Sequence, residues 1–107
     1  MERDEIEKII DGHITNLKLE VKSRFIHCFR DYPSGESTYG DKNNDMFAIC
    51  QRGFGVPVLT FFSDLIAKHY RTSDELKELV SHEVLHVLGY GHGPIFYEKV
   101  KNNHLYA

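Results

Sequence analysis

Apolar residues in the first part of the chain recur at steps of three and four. Ile6, Ile9, Ile10, Ile14 and Leu17 keep that rhythm among charges, which predicts an amphipathic helix over 2–17, with Gly12 a weak point in its middle. Near Leu17 the period changes to two. Leu17, Leu19 and Val21 alternate with Lys18, Glu20 and Lys22, and Phe25, Ile26 and Phe29 extend an aromatic-rich stretch, so a first strand is expected from Leu17 onward, with an irregularity near Ser23 and Arg24. Between Asp31 and Asp45 lie Pro33, Gly35, Gly40, Asn43 and Asn44, a turn-forming composition that predicts a long exposed loop. A short strand is expected over 46–50, followed by a turn through Gly53 and Gly55 into the apolar run 56–62. Pro57 has no N–H to give a ladder, so that end of the run belongs at a sheet edge or a strand start.

Two helices should follow. Ser63 and Asp64 are placed to cap a short one running to His69. Thr72 and Glu75 have capping-box spacing, with Asp74 adding a second acid near the N-terminus, so another helix starts there and carries Leu76, Val80, Val84, Val87 and Leu88 as one apolar stripe. On this second helix the string His82-Glu83-Val84-Leu85-His86 reads H-E-x-x-H. Its two histidines fall four apart on one face, away from the apolar stripe, so both imidazoles can reach one metal, and Glu83 lies between the two faces. Gly89 and Gly91 then let the chain leave the helix and turn back, bringing His92 within reach as a third ligand.

That donor set suggests a catalytic zinc ion (Zn2+), which takes three protein ligands and keeps one position for water. His82, His86 and His92 would supply the imidazoles, and Glu83 would act as general base on the metal-bound water and carry its proton to the leaving amine. The expected reaction is hydrolysis of a peptide bond. An oxyanion donor is not assigned by the sequence; Tyr90 and Tyr97 are the nearby tyrosines. Of the other histidines, His13, His27 and His69 are expected to be structural or at the surface.

Composition adds bounds. With 41% hydrophobic and 27% charged residues in 107, the chain reads as one ordinary domain over 1–107. A formal net charge of −3 and the lack of a Lys/Arg cluster argue against nucleic acid as a partner. Four of the first five residues are charged where a secretory signal would be apolar, and no apolar run approaches membrane-spanning length, so a soluble cytoplasmic protein is expected. Cys28 and Cys50 form no C-x-x-C pair and are expected as reduced, buried thiols; a disulfide between them requires neighbouring strands.

At these residues the chain resembles zinc peptidases of the zincin class. The string 82–92 matches the metzincin pattern H-E-x-x-H-x-x-G-x-x-H, but the Met-turn that follows it in metzincins has no counterpart, because Met1 and Met46 both precede it. Gly91-His92-Gly93-Pro94 resembles the third-ligand motif of SprT-like proteases. In length and ligand spacing the chain is most similar to the minigluzincins, very short zincins with histidine as third ligand. That resemblance covers 72–101 with specific motifs and implies an α+β minimal zincin-like domain: an N-terminal helix, a sheet of about three strands whose edge binds extended substrate, the active-site helix, and a C-terminal helix from near Pro94. It also implies a zymogen in which the tail, here 101–107, blocks the cleft within a monomer or across a homodimer. Gluzincins in general use glutamate as third ligand, for which Glu98 is the local candidate; His92 is preferred because it directly follows the glycine turn.

Two other readings compete. The segment 84–92 is similar to that of bacterial rRNA-maturation endoribonucleases, which share the three-histidine spacing but characteristically lack a glutamate after the first histidine. The third is a non-catalytic zinc-binding interaction module.

Overall fold

A computed structural model of the protein describes residues 1–21, 23–32, 47–52, 55–89, 93 and 98. Among these residues lies a small α+β arrangement of three helices and a three-stranded mixed sheet: α1 (Arg3–Glu20), β1 (Ile26–Arg30), β2 (Ala48–Gln51), β3 (Val58–Phe62), α2 (Ser63–His69) and α3 (Ser73–Val87). The strand order is β1-β3-β2. β3 is central, parallel to β1 with Ile26 opposite Val58, and antiparallel to β2 with Gln51 opposite the same Val58. The short connection between β2 and β3 suits an antiparallel neighbour, whereas a parallel pair needs a longer path. Pro57 stands immediately before β3, and its carbonyl accepts from the Ile26 N–H, so the residue without a donor sits at a strand start as its chemistry requires.

The helix α1 is longer than the sequence pattern suggests. It runs through Glu20, and 17–20 is its last turn, not the beginning of a strand. The expectation failed because Leu17 and Val21 satisfy both periods, two apart from Leu19 and four apart from each other. Packing decides between them: Ile6, Ile10, Ile14, Leu17 and Val21 are all buried in the core, while Leu19 is 85% exposed. Gly12 lies within the same helix on its exposed side.

The core lies between the helices and one face of the sheet. Leu59, Phe61 and Ala48 are buried with Ile66 of α2 and with Leu76, Val80, Val84, Leu85 and Val87 of α3. Side chains of this size contribute roughly 1.5–3 kcal/mol each when fully buried, which makes this shared burial the main force that docks α3. At the opposite end of the sheet, α1 and α2 are joined by polar contacts. Ser63, fully buried, accepts from Arg3 Nε at 2.8 Å and donates to Glu7 Oε2 at 2.8 Å. Arg3 also pairs with Asp31. Ser63 is therefore the first residue of α2 and not its cap; Phe62 holds the cap position without a side-chain bond.

The two cysteines occupy β1 and β2, with β3 between them, and both are free and half-buried. Two inter-strand spacings amount to about 10 Å, beyond the reach of a disulfide. Cys28 instead lies 3.5 Å from the Thr60 hydroxyl. Beyond Tyr32 the loop expected between Asp31 and Asp45 lies outside the described residues, as do the tail 101–107 and, apart from Glu98, the C-terminal helix expected from near Pro94. Among the described residues no helix is long and apolar enough to cross a membrane.

The two leucines of the disputed turn separate helix from strand by experiment. Leu17→Ala should destabilise by roughly 2–4 kcal/mol, whereas Leu19→Ala should change stability by no more than about 0.5 kcal/mol, both read from urea midpoints. Equal losses at the two positions would contradict the helical turn.

Candidate metal and catalytic site

The site is built on α3, whose start is fixed locally. Thr72 Oγ1 accepts from the Glu75 N–H at 3.2 Å, and the Glu75 carboxylate accepts from the Thr72 N–H at 3.1 Å, completing the expected capping box. A cross-link from α1 adds to it: His13 Nε2 lies 3.2 Å from the Ser73 carbonyl oxygen. The far end of the helix is held as well. Gly89 has φ +95°, a left-handed conformation that favours glycine and ends helices, and its N–H bonds to the His86 carbonyl. Arg52, just beyond β2, donates to the carbonyl oxygens of His86 and Val87, the latter at 2.7 Å. A guanidinium there adds donors to the last carbonyls of the helix and sits at the negative end of the helix dipole.

Between these anchors, α3 is buried over a wide arc. The expected stripe of Leu76, Val80, Val84 and Val87 is buried, Leu88 is half-buried, and Ser81 and Leu85 extend the covered surface beyond what the stripe predicts. At 3.6 residues per turn the buried positions span about 200° of the helix. Glu83 stands at one edge of that arc, only 5% exposed, and His82 and His86 form the half-buried stripe next to it.

The histidines converge. His82 Nε2 and His86 Nε2 are 3.3 Å apart, with ring centroids at 5.0 Å and planes inclined by 75°. Two nitrogens, each bonded to one tetrahedral zinc at its usual distance, stand about 3.3–3.4 Å apart. The pair therefore fits two ligand positions of such an ion, and the same spacing lets one ring donate an N–H to the other when no ion is shared. His92, the third predicted ligand, and Tyr90 and Tyr97 lie outside the described residues. Glu98 is exposed. Among the described residues no group of three or more His, Cys, Asp or Glu is gathered as a metal-holding set.

Burial in an apolar surround raises the Glu83 pKa to about 7. A carboxyl tuned this way exchanges protons near neutrality, as a general acid–base group must. Its neighbours include residues that the sequence did not single out. The Cys50 thiol on β2 is pushed up first by burial and then by the Glu83 charge, while Arg52 opposes this. Tyr70 is pushed up to about 12 by burial and by Glu75, Glu78 and Glu83, and its ring packs edge-on against Phe47. Arg52, Cys50 and Tyr70 come to the site through strand pairing and helix docking; nothing in their local sequence marks them. Two other described histidines have structural partners: His27 bonds Asp11 at 2.6 Å, and His69 packs on Phe47.

No family model, curated protein or solved structure matches the chain.

Folding lifts the Glu83 pKa from its ordinary 4.5 to about 7. The folded chain thus binds the extra proton within that window, and stability present below its lower limit is lost as pH rises through its upper one. Metal-free Glu83→Gln should lose this component of the pH dependence and exceed the parent in stability above neutrality, by an amount on the order of a few kcal/mol. Urea unfolding of chelator-treated proteins across the window provides the measurement.

Proposed function

We propose that the protein is a zinc-dependent metallopeptidase of the short zincin kind, with Glu83 as general base and His82, His86 and His92 as the metal ligands. The observation that carries this reading is a nearly fully buried glutamate beside two imidazole nitrogens 3.3 Å apart on one capped helix. A bare pair of histidines would serve a structural ion or a nuclease equally well. A carboxyl buried beside them serves hydrolysis, because desolvation raises its proton affinity and lets it accept a proton and return it.

Held by His82, His86 and His92, zinc would supply Lewis acidity and would make water a nucleophile near neutral pH. The chain's own residues do the rest. Glu83 takes a proton from the attacking water as its oxygen bonds to the scissile carbonyl carbon. The carbon–nitrogen bond then breaks as Glu83 hands that proton to the departing nitrogen, which restores its carboxylate. Arg52 is a positioning residue: by holding the His86 carbonyl it fixes the helix end that carries the second imidazole. β2, whose Cys50 senses the charge of Glu83, pairs on one side with β3, and its other edge suits an extended peptide.

Glu83→Gln decides between the readings. It should reduce cleavage of an unfolded protein substrate by a factor on the order of a thousand or more, while the zinc content by elemental analysis stays at one per chain. His82→Ala and His86→Ala should each lose both zinc and activity. RNA cleavage that survives in Glu83→Gln, or an intact chain that takes up no zinc, would overturn the assignment.

A further inference from the structure

Apart from the histidine stripe, one surface combines shape, apolar lining and charge. The large apolar residues with high exposure among those described are Leu19 at 85%, Ile26 at 55% and Val56 at 41%. Ile26 and Val56 line a groove of about 410 Å3 where the end of α1 meets the starts of β1 and β3. Its floor is Val21 and Phe25, both nearly fully buried, and Lys18 and Arg24 complete the lining. No carboxylate is among the described lining residues, although the chain as a whole carries −3. The Lys18 ammonium is held over the Phe25 ring at 4.9 Å from its centroid, a contact that fixes the cation at the groove without neutralising it. Neither Lys18 nor Arg24 pairs with a carboxylate among the described residues.

We propose that this groove is a docking site for a polypeptide segment that carries aliphatic side chains flanked by carboxylates. The groove is open to solvent, which suits side chains laid along its floor and not an enclosed small ligand. An apolar floor between two positive charges complements an acidic-apolar sequence in both terms, one by desolvation and one by charge. An anionic bilayer is the poorer occupant: two cations attract it by about 1 kcal/mol each, against a net-negative chain, and a concave floor does not reach into a flat surface.

The register also fixes where the groove lies on the sheet. Ile26 and Gln51 flank the same Val58, so they stand two strand spacings apart, about 10 Å. Arg52 follows Gln51 and holds the end of α3. Docking itself uses neither metal nor Glu83, so it is scored by binding and stands or falls separately from the peptidase reading.

The test is fluorescence polarisation with the intact chain and a fluorescein-labelled hexapeptide of two leucines between pairs of aspartates. Its counterpart with lysines in place of the aspartates serves as control, and cosedimentation with phosphatidylserine-containing vesicles runs alongside. The aspartate peptide should bind and the lysine peptide should not. Arg24→Glu, at an exposed position outside helix and strand, should weaken binding about tenfold, equivalent to the loss of roughly 1.4 kcal/mol, with unchanged thermal unfolding. Ile26→Asp should do the same through the apolar wall. No binding of the aspartate peptide, binding that Arg24→Glu leaves untouched, or vesicle capture that Arg24→Glu abolishes would each overturn the proposal.

Discussion

The desolvation of one face of α3 is the constraint on which the rest depends. Leu76, Val80, Val84, Leu85 and Val87 can leave water only if α1, α2 and the sheet close around that helix. Once they do, the position at the edge of the buried arc is buried too, and that position is Glu83. The energy that docks the helix thereby also raises the proton affinity of its glutamate. Separating the two effects is not possible within this fold: loosening the core would rehydrate the carboxyl and return it toward its ordinary range.

The half-buried stripe is the complement of that constraint. His82 and His86 stay on the side of α3 that the core does not cover, close enough to share one partner and partly open to what enters from outside. Both helix ends are held, by Thr72 and Glu75 at the start and by Arg52 and Gly89 at the finish. Anchoring of this kind fixes the directions of the two imidazoles through the backbone that carries them.

Much of α3 was legible in the sequence, because its signals are local and agree with one another: a capping box, a stripe at helical spacing, a glycine at the end. The placement of Glu83 between two faces followed from the same geometry. The last turn of α1 was misread because Leu17-Lys18-Leu19-Glu20-Val21 satisfies a strand period and a helix period at once, and only the core at Ile14 and Leu17 breaks the tie. The role of Ser63 was misassigned for a related reason. Its cap chemistry is overridden by Arg3 and Glu7, sixty and fifty-six positions away in the chain. Arg52, Cys50 and Tyr70 were illegible because strand pairing and helix docking, which join distant positions, bring them to Glu83.

The parallel pairing of β1 with β3 has a consequence for how the chain reaches this state. Ile26 and Val58 are 32 positions apart, whereas Gln51 meets Val58 across a connection of only six residues. Loop-closure entropy favours the short connection, so the β2–β3 hairpin can assemble early while β1 waits. Until it docks, the central strand of the finished sheet is itself an edge. Phe61 and Phe62, buried in the final fold, then belong to a strand with one open side. In this interval the chain is most prone to pair with a second copy of itself, and a growing polypeptide that already carries α1 and β1 has the means to close that edge from within.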